Sequence, residues 1–527
     1  MSLRTLIVVC LATPAFAATH QVPAGGDLQA AIEAAQPGDT IELESGATYV
    51  GNFRLTVKDG RDFIVIRTGG ADRDLPGPGV RINKSHAASL AKLRSGSLGA
   101  ALTAMPGAHH WRVELVEFDA NAAGAGDIIA LGAGSSQTQA SQMPFELVFD
   151  RVYVHGDRVF GQKRGIALNA GATQIVNSYF EDFKLAGQEA QAIAGWNGSG
   201  PYLIENNYLQ AAAQSVIFGG ADPSIPGLVP SDITVRRNVM TKPLAWRSER
   251  WLTKNGFELK NARRVLVEGN IIENVWEGGQ NGFAVLFTVR NQDGRAPWSV
   301  VEDVTFRYNI IRNAGGAINV LGYDNNHPSQ QTRRLRISDN LVYGIDKDTW
   351  GGTGDFVQLG AKPRDISIER NTVFHDGMAI RVYGGREGHE ITGVVIRDNV
   401  HRHNAWGVKG DGTNSGNPTL TRYMPGAIFE RNVLAGGPAA QYPAGNYFPS
   451  VGDFEAQFVN VAGQNFAFVP GSIFRSAGTD GSPVGADLAV MDGVMSGIGG
   501  SDNDRPVPDF DPVDPRPMGK RRLVSPR

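Results

Sequence analysis

A solenoid of short, parallel β-strands is the fold this chain predicts, on three observations. A six-residue pattern (apolar, any, any, Asn, any, apolar) recurs at Asn207, Asn238, Asn270, Asn309, Asn340, Asn371, Asn399 and Asn432, with 28 to 39 residues between successive asparagines. Self-similarity at a fixed period of this length is the mark of a repeat architecture. A second series of short apolar strands accompanies it, one ahead of each Asn strand. Glycine outnumbers proline 66 to 28, which suits many short strands between turns better than long helices. The chain has 527 residues, 41% of them hydrophobic. Solenoids grow by adding coils rather than separate cores, so that length implies one repeat domain, residues 18–498.

The chain opens with "MSLRTLIVVCLATPAFA". Arg4 supplies a positive n-region, Leu6 to Ala12 an apolar stretch and Ala15-Phe16-Ala17 a cleavage site, so residues 1–17 read as a signal peptide. The product is then secreted or periplasmic. Cys10, the only cysteine, falls inside the signal, so disulfide and thiol chemistry are absent from the mature chain. No other run reaches the length of a membrane span. The net charge of -3 carries no nucleic-acid footprint.

Leu28 to Ala35 form an amphipathic helix, followed by Pro-Gly-Asp and a strand. A helix laid over the first coil covers apolar core that stacking would leave bare. The Asn strands follow, "IENNYL" and "VRRNVM" through to "FERNVL"; upstream, "IVNSYF" and "VFDRVY" keep the frame with Ser178 and Arg151 at the Asn place. An Asn at the same bend of every coil can bond to the amides above and below as a ladder. The coils fade after Asn432, and "FAFVPGSIFRSAGTDGSPVGADL" reads as a closing segment. Residues 499–527 are Pro-rich, acidic then basic, and read as a disordered tail.

The second series includes "FELKN" (257–261), "VLFTVRN" (285–291), "INVLG" (318–322), "VQLG" (357–360) and "IRVYGG" (380–385). Alternation turns Phe257 and Leu259 inward, and Glu258 and Lys260 outward. Thr288, Arg290, Asn319, Gln358, Arg381, Tyr383, Lys409 and Asp411 share that outward stripe, with Ala194 and Trp196 upstream. Uneven insertions beside these strands, such as "DNNHPSQQTRR" (324–334), mark the binding side of a solenoid. Neighbouring strands lie about 4.8 Å apart, which brings Lys260, Arg290 and Glu258 together.

Two bases and an acid in a groove suit β-elimination on a uronate-containing polysaccharide. The sugar carboxylate must be neutralised, by Arg or by Ca2+ held on carboxylates. A base must take the C5 proton, and O4 must be protonated as it leaves. Lys260 is the expected base, and Arg290 the carboxylate clamp or acid partner. Glu258 either binds Ca2+ or orients Lys260. Arg247 and Arg250, just before the strip, and Tyr323 and His327, in the loop "GYDNNHP", are further candidates for sugar contact. Trp196, Trp251, Trp276, Trp298, Trp350 and Trp406 recur near these loops, and a flat aromatic face is a platform for a sugar ring. Asp346, Asp348 and Asp355 offer a cation or a sugar further ligands.

The helix with "QPGDTIEL", the Asn-bearing coils and the signal sequence resemble the pectin-lyase-like right-handed parallel β-helix superfamily, over most of residues 21–495. That resemblance implies an all-β, right-handed parallel β-helix with an N-terminal capping helix. It does not imply one activity, since the superfamily holds lyases, hydrolases, epimerases, esterases and adhesins. The order "ELKN", "VEGN", "FTVRN" looks most like polysaccharide lyase family six, the chondroitinase B and alginate lyase type. The likeness implies Lys260 and Arg290 for the two basic roles and Glu258 for one Ca2+ ligand. The chain departs from that pattern in three places. Asn261 follows the lysine where the family has Ser, Asn291-Gln292 follow the arginine where it has His-Gly, and Gly256 and Lys260 flank Glu258 where a second acid would stand.

Two rivals remain open from the residues. A glycoside hydrolase needs paired carboxylates across the groove, for which Asp324, Asp355 and Asp411 are available. A non-catalytic carbohydrate-binding solenoid of the cell surface needs only the stripe. Irregular coils and Trp-rich insertions around one stretch favour a specific site. The expected partner is a polysaccharide, met by a monomer.

Overall fold

The computed structural model describes residues 17–70, 74–384 and 390–498. The expected tail, 499–527, and all of the expected signal but Ala17 lie outside the described residues. Three parallel sheets of 14, 13 and 12 strands run the length of a right-handed β-helix. Each coil gives one strand to each sheet in turn. Ser231–Arg236 belongs to sheet I, Val239–Thr241 to sheet II and Phe257–Leu259 to sheet III, and Ala262–Glu268 returns to sheet I. The helix Leu28–Ala34 starts on Asp27, whose carboxylate accepts from the Ala30 amide, and buries Leu28 and Ile32 in the main core.

Alternation builds the interior as the sequence predicts. Phe257, Leu259, Val285, Phe287, Ile318 and Val320 are all fully buried, and the Phe257 and Phe287 rings meet edge to face at 6.5 Å. The turn from sheet I to sheet II is the same two residues in coil after coil. Its first residue is left-handed: Asn206, Arg237, Gly269, Tyr308, Asp339, Arg370, Asp398 and Arg431 have φ between 53° and 63°. Its second is the ladder asparagine. Asn270 Nδ2 donates to Asn309 Oδ1 at 2.9 Å, Asn309 Nδ2 to Asn340 Oδ1 at 3.1 Å, and the series continues to Asn432 and Asn446. Seven non-glycine left-handed corners, each costing roughly 1–2 kcal/mol, are tolerated because the ladder satisfies the corner's buried amides. Ser178 holds the ladder place, as expected; Arg151 does not. Arg151 is the left-handed residue (φ 53°) and Val152 fills the ladder place, since the strand ahead of it ends at Asp150.

Sheets II and III differ in what lies outside them. Outward residues of sheet II are covered toward both ends. Leu75, Ile82 and Leu90 pack against Tyr153 and Tyr179 near the N-terminus. Phe454, Phe458, Phe466, Phe474 and Met491 pack against Leu341, Tyr343 and Phe374 near the other end. The closing segment therefore does more than follow the last coil; it doubles back along the outside. Thr479 bonds Asp398, Ser482 bonds Arg370 at 2.7 Å, and the Ser496 carbonyl takes a bond from Arg237, all three being left-handed corners. Sheet III lies between the two corners that carry insertions, and there the chain leaves a cleft. No helix among the described residues is long and apolar enough to cross a membrane.

Candidate active site

Three consecutive strands of sheet III, Phe257–Leu259, Phe283–Thr288 and Gly316–Leu321, form the floor of a cleft of ≈ 490 Å3. Lys260, Thr288, Arg290, Asn319 and Tyr383 line it, with Gln280 and Asn281 on one wall and Asn325 on the other. Both bases stand just past a strand end. The Lys260 amide donates to Phe218 O at 2.8 Å, and the Lys260 carbonyl accepts from the Arg290 amide at 2.9 Å, so the backbone ties the two residues to adjacent coils. Gly219 makes room for this turn. Its φ is +96°, and a Cβ there would lie 2.8 Å from Lys260 Cβ.

Glu258 corrects one expectation. It faces outward in the strand, but its side chain is not on solvent; it is fully buried beneath the cleft. Its Oε2 accepts from Gln214 Nε2 and from Asn255 Nδ2, both at 2.9 Å. Its Oε1 lies 3.2 Å from Lys260 Nζ, an ion pair without hydrogen-bond alignment, and has no other partner. Burial of a carboxylate demands such compensation, and the amides of the preceding coil and the turn at Asn255 provide it. Behind it, Gln214 also donates to Glu189 Oε2 at 3.1 Å, and Glu189 takes the Lys254 ammonium. Thr288, also expected outside, is 5% exposed; Leu286, not Thr288, pairs with Glu258 in the register.

This set does not fit Ca2+. The ion takes about six to eight oxygens. Glu258 spends one oxygen on two N–H donors and aims the other at Lys260 Nζ, and the next carboxylate, Glu189, is taken by Lys254. Three acidic side chains do converge elsewhere, Asp346, Asp348 and Asp376. Asp346 accepts the Thr349 amide at the start of a helical turn and Asp376 pairs with Lys347 at 2.9 Å, so capping and an ion pair account for two of them.

Arg290 is anchored from the opposite wall. Its Nη1 lies 2.6 Å from Asp324 Oδ1 and also bonds the Asn325 side-chain oxygen, while Asp324 Oδ2 accepts the Asn291 amide at 2.8 Å. Burial by itself would raise the Asp324 carboxyl, but the Asn326 and Asn291 amides and the Arg290 charge hold it below the usual range. The carboxylate in turn fixes a guanidinium that stays about one-quarter exposed in the cleft.

Beyond Asn319 the stripe runs in register, Asn319 to Gln358 to Arg381 to Lys409, one residue per coil. Arg381 is clamped by the buried Asp355 at 2.5 and 3.3 Å, and Lys409 rests on the Trp406 ring. Tyr383 leans back across Gly360 toward the cleft.

The remaining candidates lie outside the cleft. Trp196, two strands upstream, is covered by Arg164 at 5.0 Å. Arg247 stacks on Trp350 at 4.8 Å and bonds Thr349 O, and Arg250 lies over Trp251 at 5.3 Å. Tyr323 is exposed, and His327 packs on Gly294. Sequence reasoning missed Gln214 and Asn255 altogether. It placed Asp324 near the strip without its partner; an acid 34 positions from Arg290 across an insertion leaves no periodic signal.

No family model and no curated protein matches the sequence. Solved structures do. The family 6 polysaccharide lyase AlyGC, an alginate lyase, is 14% identical with a TM-score of 0.54, over 89% of this chain and 58% of that one. A mannuronic-acid-specific family 6 polysaccharide lyase from the human gut microbiota is 12% identical with a TM-score of 0.53, over 82% of this chain and 92% of that one. At these identities the likeness is one of fold.

Proposed function

We propose that this chain cleaves a uronate-containing polysaccharide by β-elimination in the cleft of sheet III. One observation carries the reading: Lys260 and Arg290, on adjacent coils, face one cleft, each held by a buried carboxylate, Glu258 or Asp324. Arg290 pairs with the sugar carboxylate, which acquires enolate character once C5 is deprotonated. Lys260 takes the C5 proton, and Glu258 stabilises the ammonium that results. The electron pair of the C5–H bond forms the C4–C5 double bond as the C4–O4 bond breaks. The product carries an unsaturated uronate at its new non-reducing end. No step is routed through Ca2+, because the residues beside Lys260 do not offer a calcium site.

Hydrolysis by two carboxylates is less well supported. Glu258 is the only carboxylate among the described residues lining the cleft, whereas glycosidases use a pair. Export of the mature chain through residues 1–17, and action as a monomer, complete the proposal. The fold of the two family 6 lyases supports it without supplying the substrate.

The test is ultraviolet absorbance of mature protein with alginates, pectate, chondroitin and dermatan sulfates and heparin-like chains, each with Ca2+ or chelator. Absorbance from an unsaturated uronate, insensitive to chelation and lost in Lys260→Ala, is expected. A flat trace on every polymer would overturn the reading.

A further inference from the structure

The reading above leaves O4 without a proton donor, and the cleft holds one group placed for that task. We propose that Tyr383 is the catalytic acid, donating its phenolic proton to O4 as the C4–O4 bond breaks; the inference rests on the β-elimination reading.

Placement comes first. Thr288, Leu321, Gly360 and Tyr383 occupy one register row on four successive strands. Tyr383 does not project straight out from its own coil. A Cβ on Gly360 would lie 1.9 Å from Tyr383 Cζ and 2.3 Å from the phenol oxygen, so the phenol end of the ring fills the space a side chain on the glycine would take. Gly360 needs no left-handed backbone; it ends a regular strand, Val357–Gly360. The room for the ring is what its missing side chain supplies. Folding over Gly360 carries the phenol back one coil toward Arg290, and it lines the same cleft as Lys260 and Arg290.

Protonation state comes second. Burial raises the Tyr383 phenol above its ordinary value, against smaller opposing effects of a bond to Gln358 and the charge of Arg290. The group therefore enters the reaction as O–H. The same two neighbours stabilise the phenolate left behind. The balance closes without a further reagent. Lys260 gains the C5 proton, O4 gains the Tyr383 proton, and Lys260 and Tyr383 then exchange with water to reset. An acid on one side of the sugar and a base on the other separates two roles that a single lysine would otherwise have to alternate between.

Two variants and two substrates test this. Tyr383→Phe keeps the ring and removes the proton, while Gly360→Ala keeps the tyrosine and forces its ring off the strand. The substrates are the uronate polymer that the wild type cleaves and a uronate glycoside with fluoride at C4, which departs without a proton. Loss of a general acid should lower kcat on the polymer by roughly 10²–10⁴-fold in Tyr383→Phe, with the fluoride turned over within a few-fold of wild type. Gly360→Ala should show the same split between substrates. Wild-type kcat on the polymer in Tyr383→Phe, or equal losses on both substrates in both variants, would overturn the assignment and leave the lyase standing. Failure of the wild type to form any unsaturated product would instead remove the β-elimination reading and this inference with it.

Discussion

Asn309 is the middle rung of the ladder, and its side chain is committed in every direction. The amide nitrogen lies within hydrogen-bond distance of Val267 O, Arg307 O and Asn340 Oδ1, which share its two hydrogens, and its oxygen accepts from the backbone and the side chain of Asn270. Asn309→Ala strands several buried partners at about 1–3 kcal/mol each. A loss of roughly 3 kcal/mol or more is expected in denaturant unfolding, against less than about 1 kcal/mol for an exposed asparagine such as Asn326. His375 and His401 set a second expectation. Both are buried in successive strands of sheet II, and burial lowers them to about 4 and about 3. Folded, they stay neutral; unfolded, they take a proton below about pH 6.5. Stability from them is present above that pH and is lost as pH falls toward 4, at up to about 1.4 kcal/mol per unit for each group. Unfolding midpoints measured from pH 7 to 4 should fall less steeply in His375→Gln/His401→Gln. An unchanged slope in that double variant would remove the histidines from the account. Lys260 and Arg290 were legible at this scale because charge and alternation are local properties. The partners Asp324, Gln214 and Asn255 were not, since each reaches the site from another coil or loop.

The strands of sheet III repeat a spacing as well as a sequence. Successive outward residues Asn319, Gln358, Arg381 and Lys409 advance along the solenoid by one strand each, about 4.8 Å. That advance is close to the length of one sugar unit, so a chain lying along the axis meets a new side chain at every unit. Arg381 is held by Asp355 with part of its guanidinium exposed, which suits a carboxylate several units from the scissile bond. Arg381→Ala should raise KM on the polymer several-fold, leaving kcat within about two-fold, with no effect on the shortest cleavable oligomer. Equal loss on short and long substrates would place Arg381 in the chemistry instead. The expected candidates Trp196, Arg247 and Arg250 lie outside the cleft. Periodicity finds the strand that carries a residue, whereas the aromatic cluster around Trp246, Trp276 and Trp350 is packed by the insertions.

The whole molecule is a three-faced solenoid whose second sheet carries the covering segments and whose third carries the cleft. The closing segment covers sheet II, with Phe374 meeting Phe466 at 4.7 Å and Phe458 at 5.3 Å, and Val494 against Gly269. Ending the chain after Pro449 would expose these rings, each worth about 1.5–3 kcal/mol when buried. Calorimetry should show a large drop in melting temperature and concentration-dependent aggregation; a truncated chain that melts like the full one would show the segment to be dispensable. The coils, their inward residues, the Asn corner and the side on which insertions gather were determined by the sequence alone. Each is set within one repeat of about 30 residues and then multiplied by stacking. Only the tertiary structure decided that Glu258 is buried rather than on the surface, that Asp324 anchors Arg290, that Tyr383 lies across Gly360, and that the closing segment turns back along the corner. Those contacts join residues from 2 to 259 positions apart through loops that share no period. A repeat encodes where a side chain points, but the neighbours that meet it there are supplied by the irregular parts of the chain.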